Sequence, residues 1–260
     1  LVAQDYPSIQ VLVLLTGSDA DEFALVNEVV QTTFGATDFS QPHVYQLGAN
    51  PGFGPAANTA LRLVEGDSGF FLVMHDDVVL APDSVRILVE ELYRSNAGAV
   101  GPKLTYWDNP KMIQSVGVDV DRFGGELPIA DDGELDQEQH DAVRDVFKLS
   151  SACMLVRADL FRTVKGFTES LATSGADLDL CWRLHAAGAR VVVVPAAIAR
   201  HKENSTMSLA SDMVTDSNLE AEIVRVQSVV ALSSISQVPF TVMQMYLLTI
   251  VRVVLLLVTG

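Results

Sequence analysis

The chain has 260 residues, with 17 Lys and Arg against 33 Asp and Glu, a formal net charge of −16. Its 49% hydrophobic and 19% charged residues supply one sizeable core and exclude a disordered chain. The acidic balance excludes a nucleic-acid binder, which needs cations for phosphates. Two cysteines, Cys153 and Cys181, exclude a disulfide framework and a four-thiolate zinc site, and fit a reducing compartment.

In chain order, residues 1–7 carry no initiator Met and no basic region of a signal peptide. Residues 9–15 form a short apolar run ending at Thr16-Gly17-Ser18-Asp19, which predicts a buried strand and a turn. A helix is expected over 21–33, a strand over 44–47, a glycine-containing loop over 50–54 and a helix over 55–64. Residues 69–74 (GFFLVM) predict a buried strand that ends at His75-Asp76-Asp77. Pro82 suits the first turn of a helix running to about residue 95, and 99–104 predict a strand. Strands read as continuous apolar runs between helices point to a mostly parallel α/β sheet with ligands at the carboxyl ends of its strands.

Residues 117–145 are loop-rich and acidic, with Asp131, Asp132, Glu134, Asp136 and Glu138 close together, and read as a solvated surface loop. Residues 143–156 return to strand-like composition. A helix over 177–187 places Leu178, Cys181, Trp182 and His185 on one face, with Gly188 as its stop. Residues 191–194 predict a buried strand. Leu219, Ile223, Val226 and Val230 recur at helical spacing, so 219–230 predict an amphipathic helix. Residues 238–260 hold one charge, Arg252. At about 1.5 Å per residue they can cross a hydrocarbon core of about 30 Å and predict a membrane helix, with a buried core helix as the alternative.

Asp76-Asp77 beside His75 is the sharpest chemical feature. Alternation puts His75 and Asp77 on one side and Asp76 on the other. Carboxylate oxygen with imidazole nitrogen suits Mn²⁺, and carboxylate with diphosphate oxygens suits Mg²⁺; an acidic turn is the plain alternative. Asp177 reads either as a first-turn acid behind a Ser174 cap or as a general base. Asp179 can pair with Arg183 at i,i+4. His201 follows a strand and reads as a surface histidine unless another group meets it.

Taken together, these motifs resemble family 2 glycosyltransferases of the GT-A fold. Asn50-Pro51-Gly52-Phe53-Gly54-Pro55-Ala56-Ala57-Asn58 resembles the family's N-x-G-F-x-x-A-x-N element. His75-Asp76-Asp77, with Pro82 beyond it, resembles the metal-binding acidic triplet. Ser151 to Arg157 followed by Gly166-Phe167-Thr168-Glu169 resembles the segment before the catalytic helix. Ala176-Asp177-Leu178-Asp179-Leu180-Cys181-Trp182-Arg183 is similar to E-D-x-D-L-x-x-R, and His201 matches the late histidine. The likeness implies a GT-A-like domain over 1–205, a linker and amphipathic helix over 206–237 and a transmembrane helix over 238–260. It further implies that Asp77 binds Mn²⁺ or Mg²⁺ with His75 and His201 as co-ligands. Asp177 would be the base of an inverting transfer, and Asn50, Asn58, Asp76 and Asp179 would face the substrates.

The implied donor is a nucleotide sugar, UDP-linked, and the implied acceptor a glycan or lipid-linked envelope molecule. The implied location is the cell membrane with the catalytic part on the cytoplasmic side. The family's opening strand is expected before Gln4. Leu15 and Ala176 stand where the family carries Asp and Glu. These two changes motivate the alternative of a degenerate GT-A domain acting as a membrane scaffold or binding module. A nucleotidyltransferase would want a glycine-rich basic phosphate loop near the N-terminus, and none is visible.

Overall fold

The computed structural model describes residues 1–35, 37, 39–121, 125–171 and 175–202. The predicted linker, amphipathic helix and membrane helix lie outside these residues. Among the described residues, no helix is long and apolar enough to cross a membrane.

The chain opens with strand β1 (Gln10–Thr16), helix α1 (Ala20–Phe34) and strand β2 (Ser40–Leu47). Asp19 starts α1 through a capping box: its side chain accepts from the Asp21 and Glu22 amides, and Glu22 accepts from the Asp19 amide. Two short helices follow, α2 (Phe53–Ala57) and α3 (Thr59–Leu63), then β3 (Phe70–Met74), β4 (Val78–Leu80), α4 (Ser84–Ser95) and β5 (Ala99–Tyr106). An excursion of small strands, β6 (Met112–Ser115), β7 (Val118–Val120), β8 (Glu126–Pro128), β9 (Glu134–Leu135) and β10 (Arg144–Asp145), precedes β11 (Cys153–Arg157). Helices α5 (Ala158–Thr163) and α6 (Ala176–Ala186) and strand β12 (Val191–His201) complete the described fold.

β1 and β2 pair in parallel as a separate two-stranded sheet, and the main sheet runs β10-β12-β5-β11-β3. That sheet is mixed, which corrects the expectation of mostly parallel pairing. β11 returns from the excursion and enters between β3 and β5, antiparallel to both, while β5 and β12 pair in parallel. β3, β5 and β12 therefore share one direction, and their carboxyl ends meet at one edge.

Period-two alternation divides the core into two layers. Met154 and Val156 of β11 and Val191 and Val193 of β12 face one cluster with Phe161, Phe167, Leu180 and Leu184. Cys153, Leu155, Val192 and Val194 face the other with Leu88 and Leu92 of α4. On α6 the buried residues are Leu178, Leu180, Cys181 and Leu184, so the inward face lies to one side of the one expected, and Trp182 and His185 are only half-buried.

β12 is longer than the predicted 191–194 and reaches His201. Its register against β5 shifts between Val194 and Ile198. Pro102 pairs with Val194 there and Pro195 follows, so two residues without amide donors interrupt one stretch of ladder. Ser84 holds the irregularity. Its Oγ donates to the Ile198 carbonyl at 2.9 Å and accepts from the Ile198 amide at 3.1 Å. Gln4 does similar work for α4, accepting from the Val85 amide at 3.0 Å and donating to the Ala81 carbonyl at 2.8 Å.

Candidate active site

β3 ends where Met74 gives way to His75, whose amide donates to the Ala152 carbonyl at 3.0 Å. The chain turns through Asp76 and Asp77 into β4, which pairs antiparallel with the end of β12 so that Val78 faces His201. The Lys202 amide donates to the Asp77 carbonyl at 3.1 Å. Two ladders thus fix the His75–Asp77 turn beside His201, and the residues expected from the sequence as metal ligands come together.

His201 Nε2 lies 3.2 Å from Asp77 Oδ1, and His75 Nδ1 lies 3.9 Å from the same oxygen. One ligand atom from each of His75, Asp77 and His201 falls within 4.8 Å of the others. Neither His75 nitrogen has a hydrogen-bond partner among the described residues, and His201 Nε2 has the ion-pair approach to Asp77 but no hydrogen bond. The other nitrogen of His201, Nδ1, lies 3.0 Å from Gln114 Oε1, which orients the ring as an outer partner orients a metal-ligating imidazole. Phe53 stands edge-on to His75 at 4.3 Å between centroids.

Burial, and then His201, holds His75 below its ordinary pKa, while Asp77, Asp76 and Asp177 pull the other way. A neutral imidazole offers its lone pair to a cation. Two imidazoles and one carboxylate form a donor set that suits a divalent cation. Asp76, the other acid of the turn, is exposed.

Asp177 sits in the first turn of α6, and Oδ1 accepts from the Leu178 amide at 2.8 Å. The cap position is Gly175 at φ 73°, with no side-chain cap bond, and Ser174 lies outside the described residues. Lys148 reaches toward Asp177, with Nζ 3.9 Å from Oδ2, and donates to Glu126 at 2.7 Å. Burial opposes the Lys148 charge, but Asp177 and Glu126 outweigh it and raise its pKa. The sequence reading missed Lys148, although a cation set among the apolar residues of 143–156 is itself a signal that a carboxylate is near. It also missed Gln114, for which the sequence carries no signal.

Two expected substrate-facing residues are committed to the fold instead. Asn58 is buried: it donates to the Phe167 carbonyl at 2.7 Å and accepts from the Phe167 amide at 2.8 Å. Asp179 accepts from Thr168 at 2.7 Å and from Arg183 at 2.9 and 2.6 Å. Arg183 in turn donates to the Val164 and Gly166 carbonyls. Both residues fasten the loop before α6 and so place Asp177. Asn50 remains at an exposed turn, its Oδ1 accepting from the Gly52 amide at 2.9 Å.

A mixed sheet flanked by helices, with a histidine–carboxylate cluster at the carboxyl ends of its strands and Asp177 in the first turn of α6, is GT-A-like. The family described as "Glycosyltransferase like family 2" matches residues 1–213, and the chain belongs to it. The O-antigen biosynthesis protein RfbC of Myxococcus xanthus is 29% identical over 215 residues, covering 79% of this chain and 16% of that protein. An N-acetylglucosaminyl-diphospho-decaprenol L-rhamnosyltransferase of Mycobacterium tuberculosis is 32% identical over 180 residues, 61% of this chain and 58% of that one. The chain therefore spans less than two thirds of these relatives. Among solved structures, S. aureus TarS in complex with UDP aligns with a TM-score of 0.55 at 16% identity, over 88% of this chain and 59% of that one. GalNAc-T7 with UDP, GalNAc and Mn²⁺ aligns with a TM-score of 0.56 at 11% identity, over 74% and 37%. These two establish the fold.

Proposed function

We propose that this chain is the catalytic part of an inverting, divalent-cation-dependent glycosyltransferase, taking a sugar from a UDP-linked donor to a glycan or lipid-linked envelope acceptor. The observation that carries this reading is the convergence of one ligand atom each from His75, Asp77 and His201 within 4.8 Å. Membership of family 2 and the lipid-diphosphate substrate in the name of the mycobacterial relative support it.

His75, Asp77 and His201 would hold the cation, which neutralises charge on the leaving nucleoside diphosphate. Asp177 accepts the proton of the acceptor hydroxyl as that oxygen bonds to the anomeric carbon, and the bond to the diphosphate oxygen breaks on the opposite face. Lys148 places a positive charge 3.9 Å from Asp177 Oδ2, on the side of the base. The apolar stretch 238–260 supports a location at the membrane, with the catalytic part on the cytoplasmic side where nucleotide sugars are made.

Calorimetric titration of UDP with and without Mn²⁺ tests the centre. Binding should require the cation and disappear in Asp77→Ala. Binding that survives both EDTA and the substitution overturns the metal assignment. Cation-dependent UDP binding without sugar transfer or donor hydrolysis would favour the binding-module alternative that Leu15 and Ala176 motivate.

A further inference from the structure

His201 belongs to two places at once: it closes the histidine–carboxylate cluster and lines an open cavity of about 420 Å³. We infer that this cavity is a sugar-binding subsite, in which Trp107 is the platform for a pyranose ring. The inference rests on the glycosyltransferase reading and adds to it the place where a sugar ring sits.

The turn that follows β5 contributes Trp107, Asp108 and Asn109 to the wall. Trp107 is 38% exposed although it is one of only two tryptophans, and it lines the cavity. An indole left in water is unfavourable unless something covers it. Its position is fixed. The Trp107 amide donates to the His201 carbonyl at 3.2 Å, and the Arg200 guanidinium carbon lies 5.5 Å from the ring centroid. Arg200, itself exposed, holds the ring by a cation–π contact.

The polar groups around the indole are of mixed kind. Asp108, Asn109, Asp132 and Lys202 line the cavity, and Asp132 accepts a hydrogen bond from the Tyr106 hydroxyl. Asp108 and Asp132 offset Lys202 and the neighbouring Arg200, so the cavity offers no excess of positive charge to a phosphate or other strong anion. An apolar stem would leave these groups without partners. A pyranose satisfies both demands, because its C–H face covers an aromatic ring and its hydroxyls both donate and accept. A cavity of this volume lies at the small end of the roughly 300–1,000 Å³ seen for small-molecule sites. The ring could come from the acceptor glycan or be the sugar carried by the donor nucleotide; the chemistry is the same and the experiment separates them.

Saturation-transfer NMR on the full chain would use methyl glycosides of glucose, galactose, N-acetylglucosamine and rhamnose as one arm. UDP- and dTDP-linked hexoses with Mn²⁺ form the other. Saturation of ring protons by a free glycoside, without nucleotide or metal, identifies an acceptor subsite. Saturation of the sugar ring only when it is nucleotide-linked identifies the donor sugar. In either case Trp107→Ala should weaken the sugar contact at least about tenfold while UDP–Mn²⁺ binding stays intact. Asn109→Ala, at an exposed turn position, should weaken it about two- to tenfold and serves if Trp107→Ala loses its thermal transition. Ring saturation in neither arm, or equal saturation in both variants and the parent, overturns the subsite. Retained UDP–Mn²⁺ binding in that case leaves the glycosyltransferase reading standing. Glycoside binding without UDP–Mn²⁺ binding would overturn that reading and keep the subsite.

Discussion

Asp177 and Lys148 show how one acid is prepared at the scale of a residue. Asp177 stands in the first turn of α6 with the Lys148 ammonium 3.9 Å from its Oδ2. In the proposed mechanism this carboxylate takes the acceptor's proton late, as the sugar–oxygen bond forms. Asp177→Asn keeps the size and removes the charge. Turnover measured with a nucleotide-sugar donor should fall by roughly 10²–10⁴-fold, with UDP affinity retained. Near-parental turnover would reduce Asp177 to a helix-start residue.

The two cysteines show the opposite situation. Cys153 and Cys181 lie in the core, and burial pushes both thiols up to about 12 from an ordinary 9.0. Neither should react with a thiol reagent such as DTNB at pH 8 until the chain unfolds. Between pH 9 and 12 the unfolded thiols lose protons that the folded ones keep. Stability should therefore fall as pH rises through that window, seen as a declining Tm. Prompt labelling of the native protein would contradict the burial.

At the scale of elements, the site depends on how loops are tied to the sheet. Asn58 joins α2 and α3 to Phe167 by two buried hydrogen bonds, and Gly166 beside it leaves room for this. Gly166 adopts φ 67°, and a Cβ there would lie 2.1 Å from Asn58 Oδ1. Asn58→Ala strands two buried backbone groups and should cost about 2–4 kcal/mol. Gly166→Ala should destabilise as well, through the same contact. Thermal denaturation reads both, and an unchanged midpoint for Asn58→Ala would show that the tie does not matter.

The acidic excursion behaves as an element too. Sequence composition reads 117–145 as a solvated loop, but Asp136 and Asp141 close on Lys103, which is buried in β5, at 2.8 and 2.6 Å. Burial works against the Lys103 charge, yet the two carboxylates prevail and raise its pKa. Lys103→Met should cost about 1–3 kcal/mol, less than a fully buried pair because Asp141 is half exposed. It should also make 131–142 an early site of limited proteolysis. Cleavage at an unchanged rate would mean the excursion holds without this clamp.

For the whole molecule, the open question is how the GT-A domain relates to residues 203–260. Their composition, with Arg252 the lone charge in 238–260, motivates a membrane element. A chain ending at Ser217 should keep a cooperative thermal transition and stay dissolved without detergent. Loss of the transition would place the tail in the soluble core.

What was legible in the sequence followed from local rules. Short apolar runs located β1, β3 and β5, Pro82 marked the start of α4 and Gly188 the end of α6, and motif order pointed to His75, Asp77, Asp177 and His201. Those signals are carried by a few neighbouring residues, so no tertiary knowledge is needed to read them. What only the tertiary structure decided was which groups meet across long separations. Asn58, read from its motif as substrate-facing, turns inward to Phe167, and Asp179 turns to Thr168 and Arg183. Gln114 joined His201 of the histidine–carboxylate cluster, Lys148 joined Asp177, and Trp107 came to wall a cavity beside His201. A polar side chain takes whichever partner the packed chain brings within about 3 Å. The direction of β11 between β3 and β5 was likewise invisible to periodicity, because an apolar run is the same read either way along the strand.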